Sequence, residues 1–105
     1  MADVPLSIAP DEEGELKPTP DPVDVDPGDT LVVTPPEDGC AICVDPKING
    51  VDTFNFNSVL RISIPDEGRG EAYDYTFCIA LYDNTCKPKD KKRDGGHTIH
   101  VSSGI

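Results

Sequence analysis

The sequence predicts an all-β domain, and three observations carry that expectation. Glu71 to Tyr82 reads E-A-Y-D-Y-T-F-C-I-A-L-Y, with Tyr73, Tyr75, Phe77, Ile79 and Leu81 at every second position, the period of a half-buried strand. Eleven Pro and nine Gly are scattered without a period and leave no window of helical length free of breakers. Between them stand short apolar or β-branched runs bounded by turn residues. At 105 residues the chain has the size of one domain, able to bury roughly two-thirds of the surface its unfolded form exposes, so one core is expected over residues 1–105.

Taken in order, Val4, Leu6 and Ile8 alternate and read as a first strand, with Pro5 suggesting an edge position. Asp11 to Pro22 is acidic and Pro-rich and reads as an exposed turn or loop. Val23 and Val25 alternate with Asp24 and Asp26 ahead of a P-G-D turn at Pro27 to Asp29. Thr30 to Thr34, T-L-V-V-T, is a β-branched strand stopped by Pro35 and Pro36. Cys40 to Val44 is a further short strand closed by Asp45-Pro46. Lys47 to Asn57 carries turn chemistry at Asn49-Gly50 but only weak alternation through Phe54 and Phe56, and is expected to be an irregular excursion. Val59 to Ile64 is a strand with Leu60, Ile62 and Ile64 on one face. Residues 65–70, P-D-E-G-R-G, turn it into the central strand, Tyr73 to Leu81. Asp83 to Gly96 is a polar loop with the basic run K-P-K-D-K-K-R, and His97 to Ser102 is the last strand.

The net charge of −11 is uneven. Residues 1–39 hold eleven acidic residues against Lys17 alone, whereas residues 40–105 hold nine acids against eight bases. Such a surface repels nucleic acid and anionic lipid, and the partner it favours is a basic protein met through the acidic N-terminal half. Solubility is the plainer explanation of the same charge. No apolar run approaches the ~20 residues of a membrane span, and M-A-D-V-P lacks the basic and apolar regions of a signal peptide. The chain is therefore expected to be cytosolic, or a mature form with an added Met. Four Cys in so short a chain, with no pairing of two C-x-x-C units, tilt the expectation towards a periplasmic or secreted, disulfide-bearing domain.

The order of these elements resembles the cupredoxins, the blue-copper β-sandwich family. Val4 to Ile8 before an acidic loop, V-D-V-D-P-G-D-T-L-V-V-T, a short strand at Cys40, an irregular middle, E-A-Y-D-Y-T-F-C after a Gly turn, and the closing G-G-H-T-I-H-V carry the likeness over nearly the whole chain. The resemblance implies a Greek-key sandwich of about seven or eight strands. It does not bring the copper site with it. A blue-copper centre needs two His, a Cys thiolate and usually a weak axial Met. Here Phe77 holds the alternation at which the resemblance would place the Cys, Cys78 is one residue out of phase, no His lies between Ile79 and Cys86, Cys40 stands where a first His would precede its strand, and the only Met is Met1.

Cys40-Ala41-Ile42-Cys43 is a C-x-x-C, but Asp45-Pro46 denies it the helix N-terminus of a redox motif, and an extended backbone sends the two thiols to opposite faces. Four Cys permit three connectivities. A cupredoxin-like order would lay the Cys40 strand antiparallel beside Tyr73 to Leu81, which implies the pairs Cys40–Cys86 and Cys43–Cys78. His97 and His100 fall on opposite faces of one strand, so they make a poor chelating pair. His97 alone could join Cys40 and Cys86 in a thiolate and imidazole site for zinc or copper. Asp21, Asp24, Asp26 and Asp29 lack the spacing and bidentate Glu of a calcium loop and read as solvated carboxylates. The basic run Lys87 to Arg93 reads as a solvated loop tip.

No catalytic triad, phosphate loop or metal-hydrolase motif appears, so the expected role is not that of an enzyme. A monomeric binding or structural module without a cofactor is favoured. The alternatives are a metal-binding or electron-transfer protein using Cys and His, and an immunoglobulin-like adhesion or accessory domain.

Overall fold

A computed structural model describes residues 2–66, 70–84 and 96–103. They form nine strands: β1 (Asp3–Pro10), β2 (Leu16–Thr19), β3 (Val23–Val25), β4 (Thr30–Thr34), β5 (Cys40–Ile48), β6 (Val51–Phe56), β7 (Leu60–Ser63), β8 (Tyr73–Leu81) and β9 (His97–Val101). The strands make a four-stranded sheet in the order β2-β1-β4-β7 and a five-stranded sheet in the order β3-β9-β8-β5-β6. Both sheets are mixed: β1 runs parallel to β4, β3 runs parallel to β9, and the other pairs are antiparallel. The fold is all-β and sandwich-like, with nine strands instead of the expected seven or eight.

The alternation read from the sequence is what fills the core. Leu6, Ile8, Leu31, Val33, Ile62 and Ile64 come from the first sheet and its margins, and they join Val23, Val25, Ile99, Val101, Tyr75, Phe77 and Ile79 of the second in one buried cluster. β8 is central, lying between β9 and β5. Its inward residues are buried from Tyr75 to Ile79, and the period ends at Leu81, which is 65% exposed. Tyr73 and Tyr75 meet edge to face, with ring centroids 5.5 Å apart.

Two strands arise where loops are expected. β2 lies within the acidic Asp11 to Pro22 stretch and pairs with β1 from Ser7↔Thr19 to Pro10↔Leu16. The Asp11 side chain organises this turn, its Oδ1 accepting the amides of Glu13 at 2.8 Å and Glu15 at 3.0 Å. Leu16 and Pro18 then turn inward, Pro18 being buried. Likewise, residues 47–57 are not an irregular excursion. β5 runs on past Asp45-Pro46, through a register shift between Cys43 and Ile48, and hairpins into β6. The two turn residues, Asn49 (φ 52°) and Gly50 (φ 79°), both adopt the left-handed conformation of a tight hairpin, and Asn49 Nδ2 donates to the Ser63 carbonyl at 2.8 Å.

Pro5 is not on an edge strand, because β1 lies between β2 and β4. Yet β2 covers only Ser7 to Pro10, so at Pro5 the strand has β4 as its one sheet neighbour, and the missing N–H interrupts no second ladder. Most of the basic loop, residues 85–95 with Cys86 and Lys87 to Arg93, lies outside the described residues.

Candidate functional site

Of the residues singled out for metal or redox chemistry, all but Cys86 lie on the five-stranded sheet. β5 is antiparallel to β8, with Cys40 opposite Leu81 and Cys43 opposite Cys78. On the far side of β8, His97 of β9 stands opposite Phe77. Parity along β5 turns Cys40, Ile42 and Val44 towards the inter-sheet core, which holds all three, and turns Cys43 the other way with its partner Cys78. Phe77 likewise points inward and Cys78 outward, so the one-residue offset noted in the sequence is realised in the sheet.

Cys40 and His97 are not brought together. Their register partners on β8 are four positions apart, and β5 and β9 flank that strand on opposite sides. At about 3.3 Å per residue and about 4.8 Å between strands, their backbones stand roughly 16 Å apart. A Cys and a His on one ion, each within about 2.3 Å of the metal, cannot span that distance. Cys86, the third member of that set, lies outside the described residues, among which no group of three or more His, Cys, Asp or Glu is placed to hold a metal ion.

Both side chains are absorbed by the fold instead. Cys40 is fully buried, and burial pushes its thiol up from 9.0 to about 11, which keeps it protonated and unreactive at neutral pH. His97 is 9% exposed, and its ring packs against Phe77 with centroids 5.3 Å apart. His97 Nδ1 lies 2.8 Å from Asp21 Oδ2, while Asp21 Oδ1 accepts the Thr98 amide at 3.2 Å. One carboxylate thus fixes the corner between β2 and β3 onto the start of β9.

The two disulfides implied by the resemblance are not formed. Cys40 and Cys78 are both buried thiols. The Cys40 sulfur is committed to the core, on the other face of the sheet from Cys43. Cys43 and Cys78 are cross-strand partners, as expected, but being neighbours has not joined them.

The acidic set is more structural than its composition suggests. Asp29, expected in solvent, is 6% exposed. Its Oδ1 accepts the Ala2 amide and its Oδ2 the Asp26 amide, each at 2.9 Å, and its carbonyl accepts the Ile64 amide at 2.8 Å. The turn before β4 is therefore tied to the start of β1 and the end of β7. Asp26 accepts a hydrogen bond from the Ser102 hydroxyl, and Ser102 N donates to the Val25 carbonyl at 2.9 Å, which pins the end of β3 to the end of β9. On the outer face, His100 stands in register between Asp24 of β3 and Asp74 of β8, with Nδ1 2.6 Å from Asp74 Oδ1. This row has no local signature in the sequence beyond the parity of β9, which places His100 on the solvent face, because it is made by cross-strand register. No protein-family model matches the chain, and no curated protein is similar to it.

Proposed function

We propose that the chain is a cupredoxin-like Greek-key sandwich without a type-1 copper site, working as a monomeric, non-enzymatic binding or structural module. The observation that carries this reading is the use made of His97: its Nδ1 is held by Asp21 and its ring lies on Phe77, so the best ligand candidate of the sequence serves as a bolt between strands. The antiparallel pairing of the Cys40 strand with the central strand, which the resemblance leads one to expect, supports the cupredoxin-like part.

The partner we propose is a basic protein. Asp24 and Asp74, both exposed and flanking His100, offer it carboxylates on the outer face of β3, β9 and β8. An exported, disulfide-stapled form goes with this reading. Cys43 is disulfide-bonded, whereas Cys40 and Cys78 are thiols. Within the sequence this leaves Cys86 as the proposed partner of Cys43. Such a staple would contribute on the order of 2–4 kcal/mol, mainly by restricting the unfolded chain.

The test is equilibrium dialysis of the reduced and the air-oxidised protein against Zn²⁺, and of the reduced protein against Cu⁺ under anaerobic conditions, with the His97→Ala variant alongside. The proposal expects no stoichiometric metal in the wild type. One equivalent bound by the wild type and lost in the variant would favour the metal-binding alternative. The acidic face is tested by titration with an oligolysine peptide. Binding that weakens steeply with salt and with Asp24→Asn plus Asp74→Asn supports it, and salt-independent or absent binding removes it.

A further inference from the structure

We draw no further inference here: the strongest candidate, the cavity of about 300 Å³ lined by Asp24, Asp26, Asp29, His100 and Ser102 at the β3–β9 edge, is an acidic cluster whose buried carboxylate, Asp29, is already satisfied by two backbone amides, and nothing else among the described residues there points to a ligand.

Discussion

Asp21 and His97, separated by 76 positions in the chain, meet at 2.8 Å and lock the crossover between the two sheets onto the first residue of β9. Asp21 also accepts the Thr98 amide, so one side chain holds two groups of β9. Asp21→Ala should cost about 1–3 kcal/mol, chiefly because the half-buried contact to the His97 ring nitrogen is lost, the exposed Thr98 amide being open to water. For a domain of this size each kcal/mol lowers the melting temperature by roughly 4–8 °C. A double-mutant cycle with His97→Gln, read by denaturant unfolding, should show a coupling of about 0.5 kcal/mol or more. Strict additivity would mean that the pair does not act as a unit.

Asp29 and Asp24 look alike in the sequence and should behave differently. Asp29→Asn replaces one of two accepting oxygens with a donor facing a backbone amide, so an expected loss of about 2 kcal/mol follows from burying two donors nose to nose. Asp24→Asn, on the exposed face of β3, should stay within about 0.5 kcal/mol. Chemical unfolding of the two single variants settles the contrast, and equal effects would contradict the clamp assigned to Asp29.

Much of this was legible in the sequence, and what was not has identifiable causes. The alternation of Tyr73, Tyr75, Phe77 and Ile79 placed the central strand and put Cys78 on the opposite face from Phe77, because strand parity needs only spacing. β2 was hidden because Leu16-Lys17-Pro18-Thr19 has one strong strand former and sits among acids and prolines; it exists because β1 offers it a ladder. β6 was hidden similarly, although Asn49-Gly50 already carried the turn. The wide separation of Cys40 from His97 depends on where β5 and β9 register against β8, which is a tertiary fact with no local signature. The clamps made by Asp21 and Asp29 are just as non-local, joining residues 76 and 27 positions away.

The Cys40 thiol makes stability depend on pH in the alkaline range. Its folded value, about 11, stands above the 9.0 of an unburied thiol, so the neutral form is the one the fold prefers. The stabilisation linked to it is complete below about pH 9 and is lost as pH rises through about 11, amounting to on the order of 2 kcal/mol. Unfolding midpoints of the wild type should therefore fall more steeply between these limits than those of Cys40→Ala. Parallel slopes would show that Cys40 does not carry the effect.

Of Gly14, Gly39, Gly50 and Gly96, Gly39 is the least able to accept a side chain. Its φ is +79°, and an added Cβ would come within 2.8 Å of Tyr82 Cδ1 and 2.9 Å of both Asn57 Cβ and the Phe56 carbonyl oxygen. Gly14 shares the left-handed backbone at φ +84° but has nothing within 4 Å. Gly14→Ala should cost about 1 kcal/mol, the conformational term alone. Gly39→Ala should cost clearly more, since the carbonyl belongs to the end of β6 and cannot swing away. Thermal melts of the two variants test the ordering, and a Gly39→Ala variant as stable as Gly14→Ala would contradict the packing at that end of the sheet.

The structural role of the cysteines, with two buried thiols and the proposed Cys43–Cys86 staple, is tested most directly by a thiol count without reductant, on native and then on denatured protein, with metal content measured on the same sample. The account expects no rapidly reacting thiol in the native protein, about two per chain after denaturation, a peptide linking Cys43 to Cys86, and no stoichiometric metal. Four thiols on denaturation together with one equivalent of zinc or copper, released by Cys40→Ala or His97→Ala, would contradict it and make the chain a metal protein.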